Sequence, residues 1–176
     1  MKARMVYDAR DSMIEVNKFI TPYDSAVMNV ATELKKQCDS NDLGCIVKTA
    51  FDYVAVNVKY ITDKQHFGKD EWWQYPREVL TEMICESPFS HTMWGDCEDS
   101  SFLLASLLLS MGMPEDRVRV GISSSHAWVE TKLDRWYILE STDDKPLTKW
   151  ITRSDIAGKR IYKPILYVYY EGCKYE

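Results

Sequence analysis

Gly95-Asp96-Cys97-Glu98-Asp99-Ser100-Ser101-Phe102-Leu103-Leu104-Ala105-Ser106-Leu107-Leu108-Leu109-Ser110-Met111-Gly112-Met113-Pro114 is the stretch that decides how this chain folds. A helix is predicted to start at Asp96 or Cys97 and to stop at Gly112, with Pro114 just beyond as a second stop signal. Phe102, Leu103, Leu104, Ala105, Leu107, Leu108, Leu109 and Met111 cover nearly its whole circumference. A helix that is apolar all round belongs in the middle of a fold.

Downstream the period changes from 3.6 to 2. Val118, Val120 and Ile122 alternate with Arg117, Arg119 and Gly121, which reads as a half-buried strand whose arginines form a solvated face. His126 to Thr131 and Trp136 to Glu140 read as two further strands joined around Lys132-Leu133-Asp134, and Ile165 to Tyr170 as a last one. Upstream, Thr21-Pro22 reads as an N-cap and first helical residue of a helix running to about Gln37. A second helix is expected from Asp42 to Asn57, then a brief extended segment at Val58 to Ile61 and a polar loop from Thr62 to Asp70. A short helix starts at Pro76, and Glu86 to Gly95 is expected to be a loop. Helices first and antiparallel strands afterwards make an α+β domain. Residues 1–20 are weakly periodic and are expected to form a loosely packed arm before a domain spanning 21–176.

Composition bounds the function. At 176 residues the chain is long enough for one domain with its own core. Its 22 basic and 27 acidic residues leave a net charge of −5, which speaks against a general nucleic-acid binder. Phe102 to Met113, the greasiest run, is too short and serine-interrupted to span a bilayer, and no apolar stretch follows Lys2, Arg4 and Arg10. No membrane partner or secretory signal is therefore expected. Five cysteines at irregular spacings cannot all pair within the chain, which fits a reducing, cytoplasmic setting with a thiol left free.

That thiol is read as Cys97. In the first turn of the buried helix, the positive end of the helix dipole favours a thiolate, and free N–H groups there suit an oxyanion. Asp96, Glu98 and Asp99 oppose this by placing negative charge beside the sulfur, so Cys97 needs a cationic partner. His126 is the candidate. Strand alternation puts His126, Trp128 and Glu130 on one face and Trp136, Ile138 and Glu140 on a matching one. A three-residue loop at Lys132 to Asp134 would pair Thr131 with Arg135 and set His126 directly opposite Glu140. A two-residue loop would send the two side chains to opposite faces. In the favourable register Glu140 orients the imidazole, His126 takes the thiol proton, and Cys97 attacks an acyl carbon.

These blocks, Trp73-Gln74-Tyr75-Pro76 with Glu78 and Leu80, Gly95 to Asp99, His126-Ala127-Trp128-Val129-Glu130 and Trp136-Tyr137-Ile138-Leu139-Glu140, resemble the transglutaminase-like superfamily over about residues 27–142. Within it they are most similar to bacterial transglutaminase-like cysteine proteinases. The resemblance implies a papain-like core, with Cys97 as nucleophile, His126 as general base and Glu140 as third triad member. Aspartate usually fills that third place, so Glu140 is a departure, with Asp143 and Asp144 as alternatives. The implied activity is hydrolysis of an amide or isopeptide bond in a protein or peptide substrate, with no cofactor. Members of the superfamily also include acyltransferases to amines and inactive peptide-binding modules.

The remaining polar residues receive plain readings. Cys85, His91 and Cys97, even with Cys38 and Cys45, lack the close spacing of structural zinc ligands, so no metal is expected. Cys38, Cys45, Cys85 and Cys173 are read as structural or surface thiols, and Glu98 and Asp99 as helix-start charges. Trp72, Trp73, Gln74 and Trp94 carry N–H groups near the expected cleft, with packing the first role for the tryptophans.

Overall fold

The apolar segment after Asp96 becomes a 14-residue helix around which the rest of the chain is arranged. The structure is a computed structural model, which describes residues 5–8, 12–39, 41–81, 84–87 and 90–175. In chain order the elements are β1 (Met5–Asp8), β2 (Ser12–Glu15), α1 (Ser25–Lys35), α2 (Leu43–Asn57), β3 (Val58–Tyr60) and α3 (Asp63–His66). There follow α4 (Pro76–Thr81), β4 (Ile84–Ser87), β5 (Ser90–Gly95), α5 (Cys97–Ser110), β6 (Val118–Ile122), β7 (Ala127–Lys132) and β8 (Trp136–Leu139). The last are β9 (Ile151–Thr152), β10 (Leu166–Tyr169) and β11 (Gly172–Tyr175).

α5 packs against α1, α2 and α4 on one side and against β6 and β7 on the other. Phe102, Leu103, Leu104, Leu107, Leu108 and Met111 are fully buried, and each such side chain contributes about 1.5–3 kcal/mol of transfer free energy. The helix also buries hydroxyls, and each is satisfied locally. Ser100, Ser101 and Ser106 donate to the carbonyls of Asp96, Cys97 and Phe102, at 2.8, 2.6 and 2.7 Å.

The main sheet is antiparallel, in the order β11-β10-β6-β7-β8-β9. Ala127, Val129 and Leu139 face α5, while Trp128 and Ile138 point the other way and pack with Ile156 and Tyr162 in a second, smaller core. Gly121 pairs with Trp128, whose indole lies so close that a Cβ at 121 would sit 2.4 Å from it; only glycine fits. A separate small sheet runs β3-β5-β4, with β3 parallel to β5. It places Tyr60 beside Gly95, immediately before the thiol-bearing helix.

Several expectations need correction. The expected loop from Glu86 to Gly95 contains all of β5 and the end of β4. The segment is short and mixed in polarity, and β5 is held by pairing with distant β3 as well as with β4, which no local period reports. α1 is capped by Asp24, whose carboxylate accepts from the Ala26 N–H at 2.8 Å, and Thr21-Pro22-Tyr23 lies before the helix. The polar loop after Ile61 holds a single helical turn, α3, closed by a Thr62/Gln65 capping box. Val16, Phe19 and Ile20, expected in a loosely packed arm, are core residues, with Phe19 against Trp73, Tyr75 and Phe102.

The cysteines also differ from expectation. Cys38 and Cys45 are joined in a disulfide that clips the α1–α2 connection. Cys97 is a buried free thiol, and Cys173 is half-buried. The side chains of Cys85 and His91 lie outside the described residues. Arg119 is no solvated strand residue. Its guanidinium lies over the rings of Trp136 and Tyr167 and holds the buried Glu130 carboxylate at 2.6 Å.

Candidate active site

Asp96 and Asp99 cap the start of α5 reciprocally, the Asp96 N–H donating to Asp99 Oδ2 at 3.3 Å. The close fit explains Gly95, where a Cβ would meet the Asp99 Cβ at 2.8 Å. Asp99 Oδ1 accepts from the Gln74 N–H at 2.8 Å, tying the Trp73-Gln74-Tyr75-Pro76 block to the helix start. Cys97 follows as the first helical residue, with its Sγ 3.1 Å from Glu98 Oε2. The Ala127 N–H also reaches the sulfur and favours its ionised form.

His126 is held one residue before β7 by a tight turn, in which the Ser123 N–H and hydroxyl both donate to the His126 carbonyl, at 2.8 and 3.2 Å. Its Nε2 lies 2.6 Å from Glu140 Oε2. Glu140 sits one residue past β8, and its other oxygen accepts from the Thr142 hydroxyl at 2.6 Å and N–H at 3.3 Å. The Tyr162 hydroxyl donates to Oε2 at 2.9 Å. Asp143 and Asp144 are exposed, and Asp144 pairs with Lys59 instead.

The strand register is not the expected one. The hairpin loop is Leu133 to Arg135 and Lys132 pairs with Trp136, so the ladder continues toward His126 opposite Thr142 and Trp128 opposite Glu140. Direct opposition of His126 and Glu140 is therefore corrected to a diagonal relation. A slip of two residues keeps every side chain on its face, and the long glutamate closes the diagonal.

Cys97 and His126 line one cavity of about 730 Å³, together with Tyr60, Trp73, the Ser123–Ser125 turn and a group of acids. Those acids are a feature that sequence reasoning missed. Glu98, expected as a helix-start charge, is 8% exposed, and Asp96 and Asp63 are 8% and 4% exposed; Asp99, read the same way, lies behind the cavity at 1%. Carboxylate oxygens of Asp63, Asp96 and Asp99 lie within 4.8 Å of one another, as do those of Asp63, Glu71 and Glu98. Asp63 and Glu71 come from a polar segment that carries no local mark of this role.

The electrostatic consequence is large. Burial, Glu98 and other neighbouring acids push the Asp96 carboxyl up to about 9, and burial with Asp96 pushes Asp63 up to about 7. Burial also raises Glu98, and burial with the charges of Asp96 and Glu98 raises Asp99. The Cys97 thiol is pushed up by burial, by Glu98 and by Asp96. Glu140 behaves oppositely. Burial would raise it, but His126, Thr142 and Tyr162 outweigh burial and hold it below its ordinary value.

No family model matches this chain, and no curated protein matches it. Solved structures do. LapG of Legionella pneumophila is 18% identical, aligned over 91% of this chain and 85% of its own, with a TM-score of 0.62. The same protein in an EGTA-treated form (92% of this chain, 83% of that one) and in a calcium-bound form (91% and 85%) has the same identity and TM-score. At this identity the likeness is one of fold: a mixed helix-and-strand domain with an antiparallel sheet.

Proposed function

We propose that this chain is a thiol-dependent hydrolase that cleaves an amide or isopeptide bond in a protein or peptide substrate. The observation that carries this reading is the 2.6 Å bond between His126 Nε2 and Glu140, made at the edge of the cavity that also holds Cys97. With Nε2 committed to Glu140, Nδ1 is the ring nitrogen left to accept the thiol proton. Cys97 Sγ then attacks the carbonyl carbon, and the electron pair moves to oxygen near the helix N-terminus. When that intermediate collapses, the imidazolium gives its proton to the leaving amine and a thioester remains on Cys97. Water, deprotonated by His126, hydrolyses the thioester and restores the thiol.

The acids beside the thiol fit a divalent cation. Asp96 Oδ1 is buried without a hydrogen-bond partner, and the two groups that share Asp63, Asp63/Glu71/Glu98 and Asp63/Asp96/Asp99, offer only oxygen ligands, as calcium prefers. The naming of solved LapG forms as calcium-bound and EGTA-treated points the same way. A bound cation would offset the negative charge that now holds the Cys97 proton in place.

The Cys38–Cys45 disulfide favours an oxidising compartment over the cytoplasm expected from the cysteine count. Among the described residues no helix is long and apolar enough to cross a membrane.

The test is thiol reactivity with calcium present. Iodoacetamide near neutral pH is expected to label Cys97 ahead of the half-buried Cys173, and His126→Ala should remove that preference. An electrophilic peptide library read by mass spectrometry should leave its adduct on Cys97. Equal, slow labelling of Cys97 and Cys173, unchanged by His126→Ala, would sink the hydrolase reading. Transfer of the acyl group to added amines in preference to water would convert it to an acyltransferase.

A further inference from the structure

We propose that Tyr162, a residue outside the motif blocks, is a positioning residue that fixes Glu140 against His126; this rests on the hydrolase reading above. Glutamate carries one more rotatable bond than aspartate, so a carboxylate at this place needs restraint to present one oxygen to the imidazole. Thr142 supplies two donors to Oε1, but it lies two residues along the same segment and moves with Glu140. Tyr162 comes from a separate part of the chain. Its hydroxyl donates at 2.9 Å to Oε2, the same oxygen that meets His126 Nε2.

The phenol is also anchored by groups outside the pair it serves, Trp128 and Arg153. Its ring stands edge-on to Trp128 and His126, with centroids 5.4 and 5.8 Å away. Its carbonyl accepts from Arg153 Nη1 at 2.7 Å, and Arg153 also binds the buried Glu130. Burial and the charge of Glu140 raise the phenol pKa, so the hydroxyl remains a donor. Tyr162 thus links the outer core of the sheet to one particular oxygen of the His126–Glu140 pair.

Tyr162→Phe keeps the ring and removes only that donor. The chain has three histidines, so ring-labelled ¹⁵N-histidine NMR can follow the His126 Nε2–H directly. The expected result is faster exchange of this proton with water in Tyr162→Phe, by several-fold, with Tm little changed. Iodoacetamide labelling of Cys97 should slow by about tenfold, a fraction of what a positioned base supplies. Thr142→Val, losing a local donor, should do less to both. An unchanged Nε2–H signal and labelling rate in a folded Tyr162→Phe protein would overturn the proposal. If that variant unfolds, Tyr162→His decides by its labelling rate. A rate near wild type, from a ring N–H replacing the hydroxyl, supports the role, and loss of labelling in a folded protein overturns it. The NMR readout stands whether or not Cys97 proves reactive, so failure of the hydrolase reading and failure of this one are told apart.

Discussion

Glu130 and Asp99 are carboxylates buried to 0% and 1% exposure, yet the fold surrounds them in opposite ways. Glu130, on the outer face of β7, is met by Arg119 at 2.6 Å, by Arg153, by the Trp128 indole N–H at 2.8 Å and by the Tyr167 hydroxyl at 3.3 Å. Asp99, at the start of α5, is met by backbone N–H groups and by the neighbouring acids Asp96 and Glu98. Among the described residues no lysine or arginine ion pair reaches Asp63, Asp96, Glu98 or Asp99. A buried carboxylate flanked by permanent cations and donors is a structural anchor. A buried group of carboxylates without them holds protons or binds a cation, and so responds to its surroundings. The first arrangement braces the sheet behind His126, and the second borders the thiol.

The largest test of this contrast removes the anchor. Glu130→Ala leaves the partly buried Arg119 and the more exposed Arg153 without the buried carboxylate between them, and it is expected to cost about 3 kcal/mol in denaturant unfolding. A loss under about 1 kcal/mol would mean that the pair is a surface-like ion pair. Calcium tests the other cluster. At about 100 times its dissociation constant it should add about 2.7 kcal/mol, raising Tm by on the order of 5–10 °C. Glu130→Gln should keep that response if folded, whereas Asp96→Asn should abolish most of it. Asp63→Asn is a smaller probe. It removes one repelling charge, and is expected to raise Tm by on the order of 2 °C in chelator while weakening the calcium response.

The pH profile separates the regions further. Asp63 and Asp96, raised to about 7 and about 9 from 3.8, bind more protons folded than unfolded. In chelator their contribution to stability therefore falls as pH rises through that window. Glu140 has the opposite sign. Its lowered pKa gives a contribution present above the ordinary 4.5 and lost as pH falls through the folded value. Calcium is expected to flatten the decline above neutrality and leave the acid limb of Glu140 in place. Thermal melts across pH with and without calcium distinguish the two limbs.

Much of the fold was legible in local pattern. The circumference of Phe102 to Met111 identified the central helix, and the alternation from Val118 onward identified the strands that pack on it. Face assignments for His126 and Glu140 survived a wrong hairpin loop because side-chain direction depends only on parity, and the slip was even. β5 was missed because parallel pairing with β3 is a non-local event. The disulfide was missed because an odd cysteine count says nothing about which two lie together. The burial of Glu98 and Asp99 was missed because acids at a helix start usually face water.

The sequence by itself determined the central helix, the thiol at its first turn, and which neighbours share a strand face with His126 and with Glu140. Each of these follows from a period, a cap or a parity confined to a few neighbouring residues. Only the tertiary structure decided which distant groups gather there: Asp63 and Glu71 in the cavity with Cys97, Tyr162 beside Glu140, and Arg119 with Arg153 around Glu130. Their placement depends on how whole elements dock, and docking is set by the packed core as a unit.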